Sequence, residues 1–430
     1  MAPQTLLQRF QARLAEIAGV GASAAGTADE ASWSYEPMVD AYELVKDSVP
    51  RWVPPERFAG KLVSAFVSGR MNGGWRDPMA WARSSRVWRR GIPAVITTFE
   101  KPPEDEIAES ARHGESWVEW NASSLPTYGG KAHEALFALT PALALEAIGA
   151  NSEFEWMLFG DDDTVFNLDV VVDIVRDMDP TVPHLVTDHM WHNYTGAGPH
   201  EPFAHGSPMA PRCVKCGVRA GPVPGHPDWR PPQACPACTW ELIRQSDPQR
   251  PEIYAGPNGF NATYLPDGEL IAHGGAGMLL SRALVDKLTV PYMRRCLEKN
   301  LSGAYLPGGD TAFSHCVFFL GVAPTDPGPF AKDADTMSFG PVNAQTKTAF
   351  DDAYAYSKGF DCCDDACQKR LAATASVHLR TIHFRSAALA RDAVAAIQRS
   401  RDIYRYAQML VRQKKTTNTY GGWDGHVVCQ

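Results

Sequence analysis

"EWMLFGDDDTVF", residues 155–166, sets a nearly unbroken apolar run, Trp156 to Phe159, against one glycine and three consecutive aspartates. Adjacent like charges repel, so Asp161, Asp162 and Asp163 either spread into water or share a cation. The apolar run has the length of a buried strand. "TVF" resumes apolar character at once, which is not the texture of a solvated charge tract. In open parallel α/β sheets, ligands bind beyond the carboxyl ends of the strands, and the aspartates fall at such an end. Carboxylates placed there suit a hard divalent ion that also bridges substrate phosphates. A plain acidic turn is the competing reading.

The flanks decide what surrounds that strand. "KLVSAFVSG" (61–69) and "IPAVITTFE" (92–100) read as short buried strands. Between them "DPMAWARSSRVWRRG" (77–91) has the aspartate–proline start and glycine stop of a helix. "GGKAHEALFALTPALALEAIGA" (129–150) carries apolar residues at helical spacing, and Pro141 is expected to kink or split it. Downstream, "LDVVVDIVRDM" (168–178) predicts a helix and "PHLVTDHMW" (183–191) a strand. Proline, glycine and cysteine interrupt the pattern over 196–258. It resumes at "GELIAHGGAGMLLSRALVDKL" (268–288) and "DTAFSHCVFFLGV" (310–322). Strands alternating with helices argue for a mostly parallel sheet covered on both faces. There is no internal repeat.

The bulk numbers exclude some classes. The chain has 430 residues, 44% of them hydrophobic, enough for a large core. Its formal net charge of −8 argues against a nucleic-acid partner, which a basic surface would serve. No stretch reaches the roughly 20 apolar residues of a membrane helix. The start, "MAPQTLLQRFQARLAEIAGV", is amphipathic and lacks the apolar core of a signal peptide, so neither leader nor membrane anchor is visible and a cytoplasmic place stays open. Asn121, Asn193, Asn261 and Asn300 open N-x-S/T sequons, which leans towards a glycoprotein on a secretory route.

Three segments in this order, "WMLFGDDDTVF", "HGGAGMLLSRAL" and "GGDTAFSHCVFFLGV", resemble the fringe-related β-glycosyltransferases, most of all a plant branch long known only as a domain of unknown function. The resemblance covers about 60–195 and 260–385. It implies a GT-A-like nucleotide-sugar-binding fold and an inverting, metal-dependent, hexosyltransferase-type enzyme. Such an enzyme moves a sugar from a nucleoside diphosphate donor to a glycan or other hydroxyl acceptor, with Mn²⁺ at the aspartates and residence in the Golgi or secretory lumen. By position, Asp163 would contact the metal, and Asp161 and Asp162 would hold its waters, the ribose or the pyrophosphate. Asp310 would be the general base, against a competing role as a helix N-cap. Gly274, Gly275 and Gly277 would let backbone pass close to the sugar; "HGGAG" lacks the G-x-G-x-x-G spacing of a dinucleotide site. The family's Ser-apolar-His segment is matched by Ser376, Val377 and His378, so His378 would complete the metal site, with His383 as the fallback.

Cys213-x₂-Cys216 and Cys235-x₂-Cys238, eighteen residues apart, have the spacing of a four-cysteine zinc ribbon, with two disulfides as the alternative. Four thiolates saturate the ion, so this zinc would be structural. Cys296 and Cys316 flank the Asp310 turn and are a candidate disulfide. The expected organisation is a helical lead-in over 1–59, the transferase domain over 60–385 with the ribbon inserted at 205–245, and a C-terminal helix and tail over 386–430. The rival function is a zinc-ribbon-bearing binding protein on a non-catalytic glycosyltransferase-like scaffold. A hydrolase using the aspartates would want further acids or histidines converging on two metals, and no such set stands out.

Overall fold

The computed structural model describes residues 42, 51–68, 78–89, 91–121, 132–176, 178–187, 190–192, 213–214, 270–301, 308–326 and 375–378. β1 (Leu62–Val67) is buried along its whole length. It leads through α1 (Pro78–Arg89) to β2 (Ala94–Thr98), and through α2 (Glu104–Arg112) to β3 (Glu115–Glu119). α3 (Ala132–Ile148) returns the chain to β4 (Trp156–Asp161), followed by β5 (Thr164–Phe166) and α4 (Leu168–Val175). β6 (Leu185–Val186), β7 (Met190–His192), β8 (Cys213–Val214) and β9 (Leu270–Ala272) are short. Then come β10 (Met278–Ser281), α5 (Arg282–Val285), α6 (Val290–Leu301), α7 (Gly309–Phe319), β11 (Pro324–Asp326) and β12 (Ser376–His378).

The main sheet has eight strands in the order β3-β2-β1-β4-β10-β6-β11-β8. β1 pairs parallel with β2 and β4, β2 with β3, and β11 with β6 and β8. Only β10 runs against its neighbours β4 and β6. The fold is therefore mixed α/β with a mostly parallel sheet, as the alternation of elements predicts. The order 3-2-1-4 means that the chain first builds outward from β1 on one side and then crosses to the other. A topological switch point consequently lies between β1 and β4.

Side-chain alternation fills both faces. Val63, Ala65, Val67, Met157 and Phe159 pack in one buried cluster with α3, α6 and α7. Phe66, Ala94 and Ile96 meet Ala82 of α1 on the opposite face. Phe159 is held between Phe137 of α3 and Phe313 of α7, ring centroids 4.6 and 5.0 Å away. Two residues beyond it the strand ends at Asp161. The aspartates thus emerge from a closely packed part of the sheet.

One expectation needs revision, two elements are added, and one pairing is borne out. α3 runs continuously through Pro141 rather than splitting there. The helix is buried from Ala135 to Ala144 between the sheet and α7, and tertiary packing offsets the lost hydrogen bond. Beside the proline, the Thr140 hydroxyl donates to Leu136 O at 2.8 Å and meets the Thr97 hydroxyl at 2.7 Å. α2 and β3 were not expected, although Pro103, three acids in the first turn of α2 and the left-handed Gly114 are ordinary helix signals. The candidate disulfide is present: Cys296 of α6 is bonded to Cys316 of α7, Cα atoms 5.9 Å apart.

Of the lead-in over 1–59, only Tyr42 and residues 51–59 are described. Of the ribbon at 205–245, only Cys213 and Val214 are described, and their backbone pairs with Thr325 and Asp326 at the edge of the main sheet. Cys216, Cys235, Cys238, His383 and the segment 386–430 lie outside the described residues. Among the described residues no helix is long and apolar enough to cross a membrane.

Candidate active site

Asp161 is the last residue of β4, in register with Val67 at the end of the parallel neighbour β1. The three aspartates therefore stand at the carboxyl end of the central strand, beside the switch point. Asp162 and Asp163 form the turn from β4 to β5, and both are buried, at 6% and 1% exposure. Ionised carboxylates are expensive to bury unless they are paired, hydrogen-bonded or coordinate a metal. A turn serving only as a solvated connection has no reason to be held this deep.

Thr164 follows the turn and closes it. Its hydroxyl accepts from the Asp161 N–H at 2.9 Å and donates to Gly275 O at 3.1 Å. Gly275 lies in the turn Gly274–Gly277, closed by a 2.9 Å bond from Gly277 N–H to Gly274 O. At the head of that turn, His273 Nδ1 accepts from the Ala276 N–H at 2.9 Å. Gly277 has φ +78°, and a Cβ there would stand 2.7 Å from Phe166 Cζ. At Gly274 a Cβ would stand 2.9 Å from Phe137 Cζ. At these two glycines the loop is pressed between β5 and α3.

The other side of the loop meets Asp310. Gly274 N–H donates to Asp310 Oδ2 at 3.2 Å, and Thr311 N–H donates to Oδ1 at 2.8 Å. The N-cap of α7 is Gly308, so Asp310 sits inside the first turn and is not the cap. Burial pushes the Asp310 carboxyl above the ordinary aspartate range, against the two backbone donors that pull it down. A carboxylate whose proton affinity is raised is better suited to accept a proton.

β12 brings in the fourth segment. Ser376, Val377 and His378 pair antiparallel with Phe166, Val165 and Thr164, so His378 is the register partner of the residue following Asp163. Asn167 N–H donates to Ala375 O at 2.7 Å, and the Ser376 hydroxyl donates to Ala276 O. Asp161, Asp162, Asp163, Gly274, Gly275, Asp310 and His378 are thus gathered on adjoining backbone. Thr164 and His273 were not singled out from the sequence. No local sequence signal marks Thr164; the structure shows its place, since a Cβ on Gly160, four residues earlier, would be only 2.7 Å from the threonine hydroxyl oxygen.

Among the described residues no group of three or more His, Cys, Asp or Glu side chains is gathered for an ion. A complete protein cage is not needed at a nucleotide site, where a hard cation is held by one or two carboxylates, water and substrate phosphates. The oxygen donors of the aspartate turn fit that chemistry.

No family model matches the chain, and no curated protein matches it. Among solved structures it is similar to a mannosyltransferase from Pyrobaculum calidifontis in complex with GDP-Man and Mn²⁺. The identity is 12% and the TM-score 0.26, over 88% of this chain and 86% of that one. At that score the likeness carries no argument about this protein, and membership of the fringe-related family is not shown.

Proposed function

We propose that the chain is a glycosyltransferase of GT-A-like fold over about 60–385, which moves a sugar from a nucleoside diphosphate donor to an acceptor hydroxyl with inversion. One observation carries the reading: the buried aspartate turn beside the switch point is joined through Thr164 and the backbone of Gly275 and Gly274 to Asp310. On this reading a diphosphate-holding end and a base-holding end would share one piece of backbone. A divalent cation bound at the aspartates, Mn²⁺ by the family resemblance, would neutralise diphosphate charge as the leaving group departs. Asp163 and His378 would hold it, while Asp161 and Asp162 orient its waters and the donor's ribose or pyrophosphate. Asp310 would take the proton of the acceptor hydroxyl as that oxygen bonds to the anomeric carbon. The carbon–phosphate-oxygen bond breaks on the opposite face, and the diphosphate leaves with the electron pair. Gly274 and Gly275 would let backbone approach the sugar, and the four ribbon cysteines would hold a structural zinc. The Cys296–Cys316 bond and the four sequons favour an oxidising, secretory setting.

The test is donor hydrolysis and transfer across nucleotide sugars in Mn²⁺, with Asp310→Asn beside the native protein. Asn keeps the size but cannot accept the proton, and a loss of about 100-fold or more in turnover is expected from removing a general base. Near-normal turnover by Asp310→Asn would leave that residue a loop anchor and place the base elsewhere.

A further inference from the structure

The segments of the site meet at one side chain that none of the assigned roles uses. Thr164 is 2% exposed and its hydroxyl has both a donor and an acceptor on the backbone: Asp161 N–H at 2.9 Å and Gly275 O at 3.1 Å. Its methyl and Cβ fill the space left by two glycines. A Cβ on Gly160 would lie 2.9 Å from Thr164 Cβ, and one on Gly277 would lie 2.8 Å from its Cγ2. Its backbone is the register partner of His378. The next residue after Gly275 towards the N-terminus, Gly274, donates to Asp310. The path from the aspartate turn to Asp310 therefore runs through the Thr164 hydroxyl and the backbone of two adjacent residues, Gly275 and Gly274.

We infer that Thr164 is a positioning residue that fixes the aspartate turn and Asp310 at one spacing, so that the group holding the donor diphosphate and the group accepting the acceptor's proton are held as a unit. The inference rests on the transferase reading above. Physically, the two reacting partners are bound to different segments, and only their relative placement turns two bound molecules into an aligned pair. A misplacement of about 1 Å between such segments costs on the order of 100-fold in rate. The hydroxyl is the part that sets this spacing. The β-branched shape fills the space beside Gly160 and Gly277 and sets only the packing.

Thr164→Val keeps the shape and removes the hydroxyl, whereas Thr164→Ser keeps the hydroxyl and removes the methyl. The valine variant is expected to lose about 100-fold in kcat and about tenfold in affinity for nucleoside diphosphate with Mn²⁺, as for other groups that orient metal ligands. The serine variant should recover both to within about threefold. A purely structural threonine would lower the melting temperature of the valine variant and leave kcat per folded molecule unchanged, which would overturn the inference. If the valine variant does not fold, amide exchange of the native protein decides. Adding Mn²⁺ and nucleoside diphosphate should protect residues 161–164 and 274–277 together, and protection confined to 161–164 would overturn the inference. Absence of any Mn²⁺-dependent nucleotide binding by the native protein overturns the transferase reading beneath it. Intact native binding with an unaltered valine variant overturns the role of Thr164 alone.

Discussion

At the scale of single residues the site is built by what Gly277 lacks and what the Asp310 carboxyl gains. Gly277 combines a left-handed φ of +78° with a Cβ position 2.7 Å from Phe166, whereas Gly60 has φ +70° and nothing within 4 Å of its Cβ position. Gly60→Ala should therefore cost only the backbone term, about 1 kcal/mol, while Gly277→Ala adds a clash worth about 1–3 kcal/mol more. Denaturant midpoints of the two variants measure the difference, and equal losses would show that the loop is not pressed against β5. Asp310 gives a second prediction. Its proton affinity is raised by burial, and a base works only when deprotonated. Turnover should fall on acidification at a pH above the ordinary aspartate value of 3.8. An acid limb at or below that value would mean that Asp310 is solvated during the reaction.

At the scale of elements, α7 presents Asp310 from its first turn and is tethered to α6 two turns later. The Cys296–Cys316 bond spans 20 residues of sequence, and Tyr292 of α6 donates its hydroxyl to Cys316 O at 2.6 Å. Closing a loop of that length stabilises a fold by about 3 kcal/mol relative to the reduced chain. Unfolding in reductant should show a loss of that order, and two free thiols in the folded, unreduced protein would contradict it. The elements also show what was legible in the sequence. Strands β1, β2 and β4 announce themselves as short apolar runs, because a parallel strand is buried on both faces. The position of the aspartates at a strand end followed from the abrupt stop at Gly160. Pro141 does not split its helix because residues on either side of it are buried, which no local rule registers. α2 and β3 were missed because an edge strand such as "ESWVE" is half exposed and lacks the apolar run. Thr164 escaped because its importance lies in Gly275, 111 residues away in sequence. The expectation that His378 joins the aspartates rests on a family resemblance and not on any periodicity in "SVH"; the pairing of β12 with β5 was not foreseen.

At the scale of the whole molecule, two buried titratable groups among the described residues contribute to the response to acid. Glu115 receives Arg86 Nε at 2.6 Å and Nη2 at 2.8 Å, together with the guanidinium of Arg89. Burial alone would raise Glu115, but the Arg86 hydrogen bond and the two charges hold it down to about 2 from 4.5. That contribution is complete above pH 4.5 and is lost as the pH falls towards 2. His184 is buried and lies nearly parallel to Trp156, 6.1 Å between centroids. Burial lowers its imidazole to about 4 from 6.5. The unfolded chain takes up that proton first, so stability declines between pH 6.5 and 4 before the Glu115 window opens. His184→Phe keeps an aromatic ring beside Trp156 and should flatten the upper window; an unchanged slope would assign the decline to another group. The central claim is that the aspartate turn holds a metal-bound donor while Asp310 serves the acceptor. Calorimetry of nucleoside diphosphate binding, with and without Mn²⁺, on the native protein, Asp163→Asn and Asp310→Asn tests it most directly. The account predicts metal-dependent binding by the native protein, retained by Asp310→Asn and weakened about tenfold or more in Asp163→Asn. Binding indifferent to Mn²⁺, or equal in the native protein and Asp163→Asn, would contradict it.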